Sequence, residues 1–302
     1  MISSISDPNA GVTGTPGEAH VTAILQCVDD TRRAILAKGG PGGTPLVEDG
    51  CVFLCFWDFD GTILHGDCCE GHAEGGRVIY SGLLEEIILG GFAAGYPATP
   101  RGVAKGISDY RRLERENGAG TAYAFLAQMM SGAREEEVFE LAARHFRTRQ
   151  MTHVFDSSFR MIEGLRAMGV VVHVVSASPD VFIRAIAAEL GLDVGRSRGI
   201  RTEIENGLLT ARLDHPVTYG SGKTAAVMDE VTRARREHPE KQVFVLAGFG
   251  NSHHTDGPFL DHIADQILPA GQPLAVMINE IPKSRAFLHV SQQAVRGGLS
   301  RS

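Results

Sequence analysis

The sequence lacks the features that would point to a membrane, a nucleic acid or an oxidising compartment. No apolar run approaches the ~20 residues that a membrane-spanning helix needs, so we expect no membrane partner. A formal net charge of −7 and the absence of any Lys/Arg-rich run argue against a nucleic-acid partner. The first residues have neither the basic head nor the apolar segment of a secretory signal. Five cysteines without a CxxC pair predict reduced thiols and a cytoplasmic protein.

What the chain does have is the length and apolar content of a globular protein. Its 302 residues are 43% hydrophobic, enough for one large domain or two smaller ones. Residues 1–17 are rich in Gly, Ser, Pro and Thr and predict a loose tail. Near-helical spacing of apolar residues from Gly17 to Lys38 predicts a helix. We assign residues 1–50 to this tail and helix; the helix is either a packing element or a homodimer contact.

Four buried strands that alternate with helices set the predicted fold class. Apolar runs at 51–57, 170–175, 243–247 and 274–278 are separated by helical patterns, which is typical of a parallel sheet covered on both faces. The predicted fold is therefore α/β with a Rossmann-like parallel sheet core. Asn206-Gly207 predicts an additional hairpin.

A long region after the first strand interrupts this alternation. Residues 67–155 show helical patterns and no strand-like alternation, and they are too many for one crossover. We predict a helical cap domain at 67–155, inserted into a catalytic core made of 51–66 and 156–302.

Two carboxylates mark the end of the first strand. Asp58 and Asp60 follow the apolar run directly, and Gly61 allows the backbone to turn away. In an open parallel sheet, ligands bind outside the carboxyl ends of the strands. An Asx turn that merely ends a strand is the alternative, but it does not explain the second aspartate.

Two further segments have the residue types of a phosphate site. Ser176 and Ala177 follow the second strand and precede a helix, where a hydroxyl and free N–H groups either bind an anion or cap the helix. Lys223 stands near the start of a later helix. A nucleotide P-loop is rejected there, because Val217 occupies the position of the first glycine and no buried strand leads into it. A solvent-facing lysine is the remaining alternative.

Oxygen ligands follow the third strand. Asn251 and Asp256 should lie at the carboxyl edge beside Asp58, and hard oxygen donors suit Mg²⁺. The pair His253-His254 suggests a transition metal, but no third His or Cys stands at ligand spacing, so zinc is less favoured.

The ordered set Asp58-x-Asp60-Gly-Thr62, Ser176, Lys223 and Asn251…Asp256 resembles the haloacid dehalogenase superfamily of phosphohydrolases. The helical insert after the first motif looks like the C1-type cap of phosphoserine-phosphatase-like members. The resemblance implies a Mg²⁺-dependent phosphatase acting on a small-molecule phosphate monoester. Asp58 would form an aspartyl-phosphate, and Asp60 would protonate the leaving oxygen and then deprotonate the attacking water. An acid at position 60 favours phosphate esters over halides as substrates.

The resemblance also assigns the remaining roles. Asp58, Asp60, Asn251 and Asp256 would form the metal site, with Asp256 supporting either Lys223 or a metal-bound water. Lys223 is the third catalytic residue. The substrate-binding residues would be Ser176, Ala177, Thr62 and Asp67.

Two departures and two alternative functions accompany this assignment. Asn251 stands where the family commonly has Asp, which predicts weaker metal binding. Asp67, with Glu70 nearby, falls where phosphoserine phosphatases carry a Glu, so a phosphoserine-like or phosphocholine-like substrate is an expectation only. A phosphotransferase or mutase with the same intermediate is one alternative, and a non-catalytic module that binds phosphate esters is the other.

Overall fold

The computed structural model describes residues 16–214, 216–293 and 295–296. The predicted loose tail lies outside these residues except for its last two positions. Within the described part of the chain, no helix is both long enough and apolar enough to cross a membrane. In chain order the helices and strands are α1 (Pro16–Lys38), β1 (Cys51–Trp57), β2 (Gly71–Glu74), β3 (Arg77–Ser81), α2 (Leu83–Leu89), α3 (Pro100–Asn117), α4 (Ala119–Gln128), α5 (Glu135–His145), α6 (Asp156–Ala167), β4 (Val170–Pro179), α7 (Asp180–Glu189), β5 (Ser197–Ile200), β6 (Thr202–Glu205), β7 (Leu208–Leu213), α8 (Ser221–Glu237), β8 (Gln242–Gly250), α9 (Gly257–Ala264), β9 (Leu274–Ile278) and β10 (Phe287–Val290).

Six of these strands form one sheet in the order β10-β9-β8-β1-β4-β5. Every pairing in this sheet is parallel. The predicted α/β class with a Rossmann-like core is confirmed, and all four predicted strands are present. The edge strands β5 and β10 were not predicted.

The two faces of the sheet explain why β1 reads as an unbroken apolar run. All seven of its residues are buried, because helices cover both sides. Side chains of Phe53, Cys55 and Trp57 belong to the core on the α1, α6 and α7 side. Those of Leu54 and Phe56 belong to the core on the α8 and α9 side. Alternate residues of one strand thus fill two cores.

The insert between β1 and α6 is only partly helical. Helices α2 to α5 are present as expected, but residues 71–81 form the antiparallel hairpin β2–β3. The prediction of a wholly helical region was therefore wrong at this place. The two strands have four and five residues, too few for a clear alternation. Gly75-Gly76, with φ of 56° and 81°, forms the turn and was the available signal.

The predicted hairpin at Asn206-Gly207 is confirmed as β6–β7. It contacts the insert through main-chain hydrogen bonds: Glu135 N donates to Gly207 O at 3.0 Å, and Gly132 N donates to Leu209 O at 2.8 Å. The hairpin therefore joins the second half of the chain to the start of α5.

Candidate active site

The register of the sheet brings the ends of three strands together. Trp57, the last residue of β1, pairs with Val174 on one side and with Phe249 on the other. The next amide, Asp58 N, donates to Phe249 O at 2.9 Å. After β5 the chain returns across the sheet and places β8 on the other side of β1. The site therefore lies at a topological switch point, where open α/β sheets bind ligands.

Asp58 is held by a cation and a hydroxyl. Lys223 Nζ lies 2.5 Å from its Oδ1, and Thr62 Oγ1 donates to its Oδ2 at 2.8 Å. The residue is only 4% exposed. Because each oxygen has a partner, the carboxylate has a fixed orientation.

Lys223 is fully buried near the start of α8 and contacts a second carboxylate. Its Nζ lies 2.6 Å from Asp256 Oδ1. Burial would lower the pKa of Lys223, but the charges of Asp256 and Asp58 outweigh it and raise that pKa. The other oxygen of Asp256 accepts the main-chain N–H groups of Asn251 and Ser252 at 2.8 and 3.0 Å. Because both of its oxygens already have partners, Asp256 is placed to hold Lys223 rather than to bind a metal ion.

Asp60 has a different set of partners. Ser178 Oγ donates to its Oδ2 at 2.6 Å, and the Cys68 main-chain N–H donates to its Oδ1 at 2.7 Å. The Cys68 thiol lies 3.6 Å from Oδ2. Neutral donors thus orient Asp60, whereas an ammonium group pairs with Asp58.

Both acids have elevated proton affinities. Burial and the charge of Asp256 raise the pKa of Asp58 to about 7, although Lys223 opposes the shift. Burial likewise raises the pKa of Asp60, against the hydrogen bonds from Ser178 and Cys68. The cluster holds more carboxylates than the single ammonium of Lys223 can neutralise.

Asn251 packs directly on the loop that carries the two acids. Gly61 has φ of 72°, and a Cβ built there would lie 1.8 Å from Asn251 Nδ2. Gly61 is therefore required twice, for its left-handed backbone and for the approach of the amide. An amide side chain and an aspartate loop meet here as the sequence predicted.

A cleft of about 350 Å³ opens onto these groups. Asp67 and Tyr123 from the insert face it together with Ala177 and Ser178 from the end of β4. Asp67 Oδ1 also accepts the N–H groups of Cys69 and Glu70 at 2.7 and 2.8 Å. Burial, followed by the charges of Asp60 and Glu70, raises the pKa of Asp67 well above its usual value. The insert thus contributes polar groups to the cleft that Asp58 and Asp60 line.

The family follows from this geometry and from one sequence comparison. The model of haloacid dehalogenase-like hydrolases matches residues 55–261, which include β1, Lys223 and the Asn251–Asp256 loop. The chain belongs to the haloacid dehalogenase-like hydrolase family. No curated protein matches the sequence.

Solved structures share the fold of this haloacid dehalogenase-like hydrolase at low identity. A protein with unknown function from Bordetella pertussis Tohama I is 15% identical, with a TM-score of 0.57, and the match covers 80% of this chain and 98% of that one. A conserved functionally unknown protein from Anaerococcus prevotii DSM 20548 is 13% identical, with a TM-score of 0.53 and 87% of each chain covered. A substrate-bound phosphoserine phosphatase is 17% identical, with a TM-score of 0.41, and covers 74% of this chain and 85% of its own; it adds nothing to the assignment.

Two of the predicted substrate contacts of this hydrolase, Thr62 and Ser176, do not line the cleft. Both residues are fully buried, as Lys223 is, and their hydroxyls make hydrogen bonds within the protein. Thr62 instead orients Asp58, and Ser176 Oγ accepts the Ser178 N–H at 3.1 Å. Ala177 and Asp67 do face the cleft.

The sequence did not single out Ser178 and Tyr123, which line the cleft, or Cys68, whose main-chain N–H donates to Asp60. The signal that could have identified Ser178 is its hydroxyl at the end of a buried strand, two residues beyond Ser176.

A larger cleft of about 630 Å³ lies between α7 and the β6–β7 hairpin, and both of its arginines are paired with carboxylates that also line it. Arg184 contacts Glu135 and Asp180, and Arg201 also contacts Asp180. Asp58 and Asp60 do not line this cleft; they line the smaller one.

Proposed function

We propose that this chain is a Mg²⁺-dependent phosphatase that hydrolyses a small-molecule phosphate monoester through an aspartyl-phosphate on Asp58. The proposal depends on one observation: Asp58 and Asp60 line the same cleft but have different kinds of partners. Asp58 is fixed by Lys223 and Thr62, while Asp60 is fixed by neutral donors. One acid is therefore oriented as a nucleophile, and the other can hold a proton or release it.

The residues present fit a divalent cation. Asp58, Asp60 and Asn251 offer carboxylate, main-chain carbonyl and amide oxygens around one cleft, which is the donor set that Mg²⁺ prefers. The carboxylates also exceed the one buried ammonium, so an added cation would relieve their repulsion. Mg²⁺ would supply positive charge that keeps Asp58 ionised and offsets the charge of the phosphate.

Asn251→Asp should tighten Mg²⁺ binding, because it adds a negative charge to the donor set. A Mg²⁺ titration of the wild type and the variant tests this prediction.

The first half of the reaction needs a nucleophile and an acid. An oxygen of Asp58 forms a bond to phosphorus, the bond from phosphorus to the ester oxygen breaks, and Asp60 gives its proton to the leaving oxygen. Lys223, which contacts Asp58, stabilises the charge that spreads over the phosphoryl oxygens. The elevated pKa of Asp60 suits a group that must begin the step protonated.

The second half reverses the role of Asp60. A water attacks the phosphorus of the aspartyl-phosphate and gives its proton to the Asp60 carboxylate, and the bond between phosphorus and Asp58 breaks. Inorganic phosphate leaves, and both acids return to their starting states. The insert, which brings Tyr123 and Asp67 to the cleft, would act as the cap that excludes bulk water and selects the alcohol.

The ion pairs around Glu70 and Arg112 in the insert favour no particular alcohol group. Glu70 contacts Tyr110 and Arg111, and Arg112 contacts Asp109 and Glu116. These charges neutralise one another. The proposal therefore stops at a small phosphate ester.

A panel of phosphorylated metabolites with Mg²⁺ tests the proposal. We expect release of inorganic phosphate from at least one ester without an added acceptor, complete loss of turnover in Asp58→Asn, and wild-type turnover in Asp265→Asn, which changes an exposed aspartate after α9. Release only when an acceptor alcohol is present would indicate a phosphotransferase. A folded protein inert toward the whole panel would overturn the proposal in favour of a binding module.

A further inference from the structure

A cluster of histidines lies where the insert joins the core. His65 lies in the segment between β1 and β2, after the two aspartates, and His72 and Glu74 stand on β2. His72 Nε2 lies 3.0 Å from Glu74 Oε1, and His65 Nε2 lies 4.0 Å from the same oxygen. The ligand atoms of the three residues all lie within 4.8 Å of one another.

These separations are close to those of a metal site. Zinc binds imidazole nitrogen and carboxylate oxygen at about 2.0–2.2 Å, so two ligand atoms of a tetrahedral site lie about 3.3 Å apart. The distances from Glu74 Oε1 to the two imidazole nitrogens, 3.0 and 4.0 Å, lie on either side of that value. Small side-chain rotations would bring three ligands onto one ion and leave a fourth position for water.

The surrounding packing restricts both imidazoles. The His65 ring lies 4.4 Å from the His72 ring and 5.1 Å from the Phe155 ring. Tyr80 Oη donates to the His65 carbonyl at 2.7 Å. A Cβ at Gly66 would lie 2.7 Å from His72 Cβ, so the backbone between the two histidines closely approaches β2. The histidines are thus held together by the fold rather than by their charges alone.

We propose that His65, His72 and Glu74 form a second metal site, selective for a divalent transition metal such as Zn²⁺. Two imidazole nitrogens and one carboxylate favour zinc over magnesium, which prefers oxygen ligands. The site is separate from the Asp58–Asn251 set in both residues and donor chemistry. An ion there would tie the loop after Asp60 to the hairpin of the insert. The segment returning to the core is also adjacent, because His65 N donates to the His153 carbonyl at 2.9 Å.

The alternative is a simple ion pair between His72 and Glu74 with no metal affinity. The metal site and the simple ion pair predict different effects of Glu74→Gln. Glu74 is exposed and the new amide can still hydrogen-bond His72, so the fold and the neutral contact remain while the anionic ligand is lost. His65→Ala removes a nitrogen ligand independently.

Calorimetric titration of the chelator-treated full chain with Zn²⁺ in excess Mg²⁺ tests the site. We expect one Zn²⁺ per chain, with affinity reduced at least about tenfold in both Glu74→Gln and His65→Ala. His289→Ala, which removes an exposed histidine on β10, should bind as the wild type does. Asp58→Asn should also bind normally, because the active-site donors are not involved.

Co²⁺ gives a readout of geometry that is independent of affinity. The wild type should show the visible d–d bands of tetrahedral Co²⁺, and His65→Ala should lose them. Wild-type Zn²⁺ affinity in Glu74→Gln and His65→Ala, or loss of binding in Asp58→Asn alone, would overturn the proposal. Circular dichroism of each variant checks that it is folded.

Discussion

Asp58 and Asp60 stand two residues apart in the sequence, but their surroundings give them different chemistry. An ammonium lies against Asp58, whereas a hydroxyl and an amide hold Asp60. Opposite charge favours the ionised form of a carboxyl, and burial favours the neutral form. The balance of these two effects at each residue suits Asp58 to the proposed attack and Asp60 to the proposed proton transfer.

Ser178 should act as the positioning residue of Asp60. Ser178→Ala removes the 2.6 Å hydrogen bond, and we expect kcat to fall about tenfold, corresponding to about 1.4 kcal/mol. That hydrogen bond lowers the pKa of Asp60, so its loss should raise this pKa. The limb of the pH–rate profile that reports Asp60 should therefore move to higher pH. Ser157→Ala, in the first turn of α6, is the control. A fall in kcat without movement of the limb would contradict this role.

Gly61 offers a test of the contact between the two strand-end loops. Gly61→Ala places a methyl group 1.8 Å from Asn251 Nδ2 and strains a backbone with φ of 72°. Gly169→Ala is matched, because its φ is 75° and no atom lies within 4 Å of the added Cβ. We expect Gly61→Ala to lower the free energy of unfolding by about 1–3 kcal/mol more than the control and to weaken Mg²⁺ binding. Equal effects in a denaturant titration would show that the contact with Asn251 is unimportant.

The sequence predicts the place of the main site residues because parallel strands fix where their carboxyl ends lie. Asp58 and Asn251 meet for that reason. The direction of individual side chains after β4 is less predictable. Its pairing with β5 shifts register between Val175 and Pro179, so simple alternation cannot show that Ser178 rather than Ser176 faces the cleft.

The length of a strand determines whether the sequence predicts it. The central strands have long apolar runs, whereas β5 and β10 have four residues each and lie at the sheet edges. Four residues are too few to show either the helical or the strand-like repeat of apolar residues. In β5, Arg198 is buried because it contacts Asp229 and Glu230 on α8, and a charged residue in a short segment indicates a loop rather than a strand.

The contact between β4 and α8 should make stability depend on pH. His173 on β4 is 2% exposed and packs on Phe56, and its Nδ1 lies 3.4 Å from Glu230 Oε2. Burial lowers its pKa below 6.5, and the contact with Glu230 only partly opposes this. The charges of Arg196 and Arg233 lower it further.

The sign of this pH dependence follows from proton binding. Below about pH 6.5 the unfolded chain protonates His173 and the native protein does not, so stability falls as the pH falls. His173→Gln should reduce the loss of melting temperature between pH 7 and pH 5. His289→Gln, which changes an exposed residue, should not. If the melting temperature of His173→Gln falls with pH as steeply as that of the wild type, the protonation of His173 is not linked to folding. Glu230 also has a lowered pKa, but its effect lies below its unfolded value of 4.5, outside this window.

At the scale of the whole molecule, the hydrophobic core includes elements outside the region that the family model matches. The family model matches residues 55–261, but α1, β9 and β10 lie outside it and complete the core. Strands β9 and β10 extend the sheet beyond β8. Helix α1 lies against α6, where Gly164 provides room for Leu25: an added Cβ would lie 2.5 Å from Leu25 Cδ1. The packing interpretation of α1 therefore has direct support in its contacts.

Truncating one apolar residue of α1 tests whether the helix is part of the core. Ile24 is 1% exposed, so Ile24→Ala should lower the free energy of unfolding by about 2–5 kcal/mol. Thr22→Ala, on the exposed face of the same helix, should change it little. Urea unfolding at two protein concentrations separates the interpretations. An intramolecular contact gives the same loss at both concentrations, whereas a dimer contact gives a loss that depends on concentration. If Ile24→Ala and Thr22→Ala were equally stable, α1 would contribute nothing to the core.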